Sequence, residues 1–410
     1  MENLKHRKWI DMVNWLLLLL LSVRLFNFSN KLTILWGAVL WIYSYQRDKK
    51  NAIDVKSIFL LVGMAVHAAA FQYYNEGYSA VSMAELALTP FFTYIIGKLL
   101  VHEKMISFAG SVKVLILTIS CGIALHASLN YFIYLKTGFI ISSGKRWCDV
   151  WNGIPLFATE HSFFAVAFAG LLFYGMWEFI HRKWGGLLII AGVAWVNYIN
   201  IKVANRMVFA VTIVVFAFNI LLYIFLNYTN KNKMKVFLYI VGGALLIGLI
   251  FWKIDPFHIK ESSFFDALLN RDGGIVKNVR FLIQFRALTQ IIPHWLGGGT
   301  MELGFDNAHN FWLQIANISG IVPFILLMVY TLWNLIDMCR LIYMKQIDET
   351  IKYSVPSVFL ALMCYLLMEQ GGHGIPDYFM YFTLVGGMIS QILIQAKGEE
   401  SKGNEYPHNS

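Results

Sequence analysis

Met207-Val-Phe-Ala-Val-Thr-Ile-Val-Val-Phe-Ala-Phe-Asn-Ile-Leu-Leu-Tyr-Ile-Phe-Leu-Asn227 contains no Asp, Glu, Lys or Arg. An α-helix rises about 1.5 Å per residue, so roughly 20 apolar residues cross the hydrocarbon core of a bilayer. This stretch is one such span, with Arg206 before it and Lys231, Lys233 and Lys235 after it. Working outward, the pattern recurs about twelve times, at residues 10–28, 32–45, 57–74, 82–101, 108–135, 157–180, 186–201, 207–227, 236–252, 311–335, 353–369 and 378–396. The prediction is an all-α, polytopic integral membrane protein. Residues 1–396 form a single transmembrane domain, and the polar stretch 397–410 is a disordered cytoplasmic tail.

Composition agrees. Of 410 residues 58% are apolar and 14% charged, about half the charged share of soluble domains, and the mean hydropathy is +0.58. Two or three soluble cores could not hide that apolar surface. The net charge of +9 has to be read against a membrane first, so no nucleic-acid partner is inferred. Cys121, Cys148, Cys339 and Cys364 are far apart and form neither a disulfide framework nor a CxxC metal pair. Ser22-Val23-Arg24-Leu25 lacks a small-x-small cleavage pattern, so the first apolar run is read as an uncleaved span.

Cationic loops resist translocation, which orients the chain. With the N-terminus inside, eighteen Lys and Arg residues fall in inner segments and twelve in outer ones, so both termini are expected in the cytoplasm. Nine of those twelve sit in two longer outer loops, 136–156 and 253–310, where the short-loop rule predicts few. Those loops use cations for something other than orientation. Within the second, Val276, Val279 and Ile283 form an apolar stripe from a break at Asp272-Gly273-Gly274 to Pro293. Lys277, Arg280 and Gln284 line another face, and an amphipathic helix at the outer membrane interface fits that spacing.

Four outer elements carry chemistry: Ser143-Gly-Lys-Arg-Trp-Cys-Asp-Val-Trp151, Lys202-Val-Ala-Asn-Arg206, Arg280, and Gly297-Gly-Gly299 followed by Ala308-His-Asn310. They share one side of the membrane. Arg suits phosphate because its planar fork donates two parallel charge-assisted hydrogen bonds. Bland readings stand beside these. An interfacial Arg commonly snorkels to lipid phosphate, Trp147 and Trp151 suit an aromatic belt, three glycines suit a flexible turn, and a single His at a span mouth is often structural. His161, His258, His294 and His373 are assigned to packing or the interface. Lys98, Lys113 and Glu369 are placed near interfaces, and Glu85 lies deeper.

In that order, these features resemble the shared core of the O-antigen polymerase and O-antigen ligase superfamily over about 140 residues. The matching features are Asn205-Arg206 between two spans, Arg280 on a loop helix ending at Pro293, the turn Gly297-Gly298-Gly299, and His309-Asn310 ahead of Gly320. Arg146 in the earlier loop resembles a further Arg of many members. Ala204-Asn205 departs from the hydroxyl-rich pair that commonly precedes the Arg. The resemblance implies transfer of a glycan from an undecaprenyl-diphosphate-linked oligosaccharide donor to a glycan acceptor hydroxyl at the outer leaflet of a bacterial inner membrane. The transfer would be a direct inverting displacement without metal or cofactor.

The residues agree with that chemistry. Displacing a diphosphate builds negative charge that a metal or fixed cations must meet. The chain has no Asp-x-Asp, and the first outer turn, Asn27 to Lys31, has no acid. Arg206 and Arg280, joined by Arg146 and Lys202, are the cations expected to bind substrate, with Asn310 beside them. His309 is the expected general base, kept neutral by nearby Arg charge. A polymerase of lipid-linked repeat units for a capsule, exopolysaccharide or O-antigen is favoured over a ligase that moves finished glycan to lipid A-core, because the loop around Arg146 looks more like polymerases. A transporter or flippase is the more distant alternative, since the cations cluster at one face and no internal repeat is seen. Membrane lipids, a chain-length regulator and a flippase complete the expected partners.

Overall fold

The computed structural model describes residues 2–25, 30–47, 53–75, 78–101, 108–137, 145–181, 183–203, 205–227, 279–305, 307–369 and 377–404, with isolated positions at 235, 238, 239, 242 and 253. The protein is an all-α, multi-pass membrane protein. Among the described residues, nine helices are long and apolar enough to cross a bilayer. They correspond to nine of the twelve predicted spans. Two more predicted spans are the helices α1 (Glu2–Val23) and α2 (Asn30–Arg47). The remaining one, 236–252, lies outside the described residues apart from positions 238, 239 and 242, and the loop segment 254–278 lies outside them altogether.

The described chain divides into two compact units, one made of Met1–His126 with Val279–Ser410 and the other of Ala127–Asn278. In the first unit α1 and α2 are followed by α3 (Val55–Tyr74), α4 (Ala80–Leu100) and the first part of α5 (Phe108–Thr137). The second unit takes the end of α5, the hairpin β1 (Lys145–Cys148) and β2 (Pro155–Phe157), then α6 (Ala158–Ala169), α7 (Leu172–Ile180), α8 (Gly185–Lys202) and α9 (Met207–Asn227). The chain then returns to the first unit with α10 (Val279–Gln290), α11 (Phe311–Ser319), α12 (Ile321–Tyr343), α13 (Glu349–Met368) and α14 (Asp377–Asn404).

In the first unit α4 is the central element, packed against α2, α3 and α14. Lipid tails are as apolar as Leu, so helices in a membrane associate through close backbone approach and hydrogen bonds rather than through hydrophobic burial. The α4–α14 seam uses both. A Cβ on Gly97 would collide with the Leu384 carbonyl, and one on Gly387 with the Tyr94 carbonyl. One turn away the hydroxyls of Thr93 and Thr383 are hydrogen-bonded at 2.7 Å. Gly97→Leu is therefore expected to separate the two helices and lower stability by about 1–3 kcal/mol or more. A fall in the unfolding temperature in detergent, larger than that of Gly398→Leu at an open position, checks this.

Charge is buried at one end of this unit. Asp54 is the N-cap of α3 and accepts from Ser57 N at 2.8 Å. It also accepts from Tyr94 Oη at 2.8 Å and from Lys98 Nζ at 3.0 Å. Burial acts to raise its pKa, but Lys98, the Ser57 amide and the Tyr94 hydroxyl outweigh that, and the carboxyl is held below its ordinary value. Two residues on, Lys56 reaches Asp337 of α12 at 2.7 Å, and Arg340 meets the other Asp337 oxygen at 2.9 Å. The start of α3 thus carries an acid and a base that engage different neighbouring helices. Lys98, placed by sequence near an interface, is 2% exposed and paired. Glu85 has Lys31 at 3.8 Å.

Three boundaries differ from the sequence reading. The predicted span 311–335 is two helices, because Gly320 takes φ +86° and breaks the chain between α11 and α12. The crossing helix is Ile321–Tyr343. The predicted span 157–180 is interrupted at Gly170-Leu171, between α6 and α7. The tail expected to be disordered from 397 continues α14 as far as Asn404. Its Lys and Glu residues are good helix formers that extend a helix already nucleated in the membrane.

In the second unit α6 packs on α8 and α9, and α7 on α8 and α9. Trp195 of α8 donates to Ser128 Oγ at 2.9 Å, and His161 bonds the Ala127 carbonyl at 3.0 Å from a fully buried position. The loop 136–156 holds an antiparallel hairpin that alternation of apolar residues did not suggest. Its turn is built by Asp149, whose carboxylate accepts from Trp151 N at 3.0 Å and Asn152 N at 3.3 Å.

Candidate functional site

The segment from α10 to α11 builds a site at one end of the first unit, the end opposite Asp54 and Asp337. The helix α10 uses its two expected stripes, but not in the expected way. Val279, Ile283 and Ala287 are packed into a protein cluster with Ile291, Met301, Leu303, Ala308, Leu313 and Ala316, so that stripe is covered by protein rather than by membrane. Apolar side chains left exposed on the helix include Phe281, Leu282, Phe285 and Leu288. The polar stripe faces the end of α13.

That end presents a defined electrostatic problem. The last carbonyls of a helix lack intrahelical donors, and three side chains supply them here. Gln284 Nε2 donates to Leu367 O at 2.9 Å and to His309 O at 2.8 Å. Asn310 Nδ2 donates to Leu367 O at 3.2 Å. Arg280 Nη1 donates to Met368 O at 3.3 Å. The C-cap residue of α13 is Glu369, a carboxylate at the negative end of a helix dipole, which is unfavourable without a cation. Arg280 is that cation, with Nη1 2.6 Å from Glu369 Oε1.

The second Glu369 oxygen faces His309, with Oε2 4.0 Å from Nδ1. That is beyond hydrogen-bond range. The Nδ1 atom is buried and has no hydrogen-bond partner among the described residues, and the Phe305 ring stands edge-on at 6.5 Å. His309 itself has φ +46°. A non-glycine residue in the left-handed region is strained and persists only where its surroundings over-determine it. Here they do: His309 N donates to Asn307 Oδ1 at 3.1 Å, and His309 O accepts from Gln284. The next residue, Asn310, caps α11 by accepting from Leu313 N at 3.1 Å. The expected substrate contact of Asn310 thus finds both ends of its amide committed to the protein. Its role in the geometry is to set His309 in place.

The glycine turn is a rigid fitting. Gly297, Gly298 and Gly299 all have φ between +70° and +82°. Gly298 N and Gly299 N donate to Ile318 O and Asn317 O, each at 2.8 Å, satisfying the end of α11. A Cβ on Gly297 would strike Gly320 N, and one on Gly320 would strike Trp295 O. Asn317 Oδ1 then receives Met301 N at 3.2 Å, and Gln290 exchanges two hydrogen bonds with the Glu302 backbone at 2.7 and 3.1 Å. The loop is stapled to α10 on one side and to α11 on the other.

The remaining expected residues belong to the second unit and share one end of it. Arg206 lies at the N-terminal end of α9, where helix N–H groups favour anions, and its carbonyl accepts from Ala210 N at 3.1 Å. Asn205 is buried and accepts from Met207 N at 2.8 Å, which accounts locally for the departure from a hydroxyl-rich pair. Lys202 sits in the last turn of α8 with Nζ 5.5 Å from the centre of the Tyr198 ring. Arg146 is in β1, and its side chain lies outside the described residues. So do Ala204, His258 and His373.

Glu369 and Gln284 are the members of this candidate site that the sequence does not single out. The helical spacing places Gln284 on the polar stripe but gives it no partner. A signal for Glu369 did exist, since an acid ending a long apolar span sits at the wrong pole of its helix and calls for a cation. Among the described residues, no group of three His, Cys, Asp or Glu side chains is placed to hold a metal ion. Compared with known proteins, the chain matches no protein-family model and none of the curated proteins.

Proposed function

We propose that this protein is a membrane glycosyltransferase of the O-antigen polymerase type, which joins undecaprenyl-diphosphate-linked oligosaccharide repeat units. In this reading it acts at the outer face of a bacterial inner membrane with both termini in the cytoplasm. The observation that carries the reading is the row Arg280, Glu369, His309, with the imidazole held in a strained backbone conformation beside a buried carboxylate. A carboxylate behind Nδ1 favours the tautomer with its proton there, leaving Nε2 as acceptor for a substrate proton.

The steps follow from these groups. His309 Nε2 takes the proton of the acceptor sugar hydroxyl, and Glu369 steadies the imidazolium that forms. The acceptor oxygen bonds to the anomeric carbon of the donor as the bond from that carbon to the diphosphate oxygen breaks, with inversion. The diphosphate departs carrying the negative charge, which Arg280 offsets. The group facing Nδ1 is Glu369, and Arg280 acts on His309 through it.

The test is incubation of purified protein with lipid-linked repeat units, with and without lipid A-core, and separation of products by size. A ladder is expected. A single adduct to the core would make the protein a ligase, and absence of transfer in both would remove the reading. Arg280→Lys keeps the charge and loses the bidentate fork. Its transfer rate is expected to fall at least tenfold, and wild-type activity in that variant would defeat the fork argument. The transporter alternative gains one observation, the buried Lys56–Asp337 pair and the half-buried Lys98–Asp54 pair, because charge held among the helices of a membrane protein often marks a transport path. Substrate flux without covalent product would favour it.

A further inference from the structure

Resting on that reading, we infer that binding of the donor diphosphate arms the base: the anion draws Arg280 away from Glu369, and the released carboxylate closes onto His309 Nδ1. The geometry as it stands is divided. Glu369 spends one oxygen on a short ion pair with Arg280, 2.6 Å, and leaves the other 4.0 Å from the imidazole. Closing that gap to a hydrogen bond requires a movement of about 1 Å, within reach of a small torsional change in one side chain. While the carboxylate is anchored to Arg280, the Nδ1 atom stays buried without a partner among the described residues.

Three physical facts set the direction of the exchange. A diphosphate carries two or more negative charges and matches the guanidinium fork with two parallel bonds, whereas Glu369 offers Arg280 one oxygen and one charge. Arg280 is partly exposed and Glu369 is nearly buried, 30% against 8%, so the arginine is the partner that an entering anion meets. A carboxylate left without its cation at the C-terminal pole of α13 is unstable there, and His309 Nδ1 already faces its second oxygen at 4.0 Å. Among the described residues, the charged groups paired at His309 are Glu369 at the end of α13 and, through it, Arg280 on α10. Asn307, Asn310 and Gln284, which hold its backbone and neighbours, are neutral.

The consequence is an order of events. Without donor, His309 Nδ1 lacks a hydrogen bond to the carboxylate 4.0 Å away, and an acceptor or a water molecule is not deprotonated. With donor bound, the base becomes competent at the moment when a leaving group is present. Glu369 is then a positioning residue whose position reports occupancy of the anion site.

The probe is farnesyl diphosphate added to the full-length protein in nanodiscs, with the histidines labelled with ¹⁵N and His309 assigned by comparison with His309→Gln. On saturation, a downfield, hydrogen-bonded imidazole N–H proton of His309 is expected to appear, and to be lost in Glu369→Gln. In Arg280→Gln the same resonance is expected without any ligand, because the carboxylate has lost its anchor. Should that variant fail to fold, the wild-type titration alone decides. If farnesyl diphosphate binds, seen as a shifted ³¹P line, and the resonance does not appear, the exchange is wrong while the glycosyl-transfer reading stands. If the ³¹P line is unmoved at saturating ligand, both fall together.

Discussion

Glycosyl transfer by the His309→Ala variant is expected to fall about 10²- to 10⁴-fold, the usual cost of removing a positioned general base, with donor binding retained. The separation of the two effects follows from the layout of the site. His309 donates nothing to the anion, since the group its Nδ1 faces is Glu369, and the contacts of Arg280 with Glu369 and the Met368 carbonyl do not pass through the imidazole. Single-turnover transfer assays beside farnesyl diphosphate binding measure both quantities in one preparation. His309→Gln keeps a polar side chain of similar reach and should be equally impaired. Retained transfer in either variant would remove the catalytic assignment, and loss of donor binding in both would move His309 from base to ligand.

Asp337→Ala is expected to be the most damaging single change away from the site, lowering stability by about 3–5 kcal/mol. The reason is what it leaves behind. Lys56 is 4% exposed and its acid partner is Asp337 at 2.7 Å. Removing the acid strands an ammonium between α3 and α12, with the face of Tyr94 at 5.9 Å. Lys56→Met should cost less, because Asp337 keeps Arg340 at 2.9 Å. The double variant Lys56→Met, Asp337→Leu should regain much of the loss, since a buried pair replaced by apolar side chains of similar size is often near neutral. Thermal unfolding in detergent micelles orders the four proteins. Equal losses for the two single variants would show that Arg340 does not substitute for Lys56.

The neighbouring Asp54–Lys98 pair gives the pH dependence. A carboxylate held below its ordinary pKa stabilises the fold above the value it has in the unfolded chain. The contribution is lost as pH falls through the lower, folded value. The α3–α4 contact is therefore expected to loosen only in acid below the normal carboxylate range, and Asp54→Asn should remove that acid transition.

Much of the architecture was legible because the bilayer imposes one rule on every residue. A segment such as Met207–Asn227 has no polar solvent for its backbone, so it must be helical, and length and hydropathy suffice to find it. The same rule failed at Gly320, where hydropathy runs on across 311–335 but the glycine sits at φ +86° against the Trp295 carbonyl. Hydropathy does not record where the loop 297–303 folds back. It also could not tell which apolar face of α10 meets protein, because Ile283 and Phe285 score alike and only the partner surface separates them.

Of the candidate site, the sequence by itself determined the residue types: an imidazole and arginines in the segments joining apolar spans, in an order that resembles a known superfamily. It did so because charge in a membrane protein is scarce and each instance stands out. Only the tertiary structure decided that Arg280 pairs with Glu369, 89 positions away, that Gln284 and Asn310 close the end of α13, and that Lys56 and Asp337 meet, 281 positions apart. Ion pairs and caps between distant helices depend on which faces pack together. That is a property of the whole bundle, and no local pattern of residues encodes it.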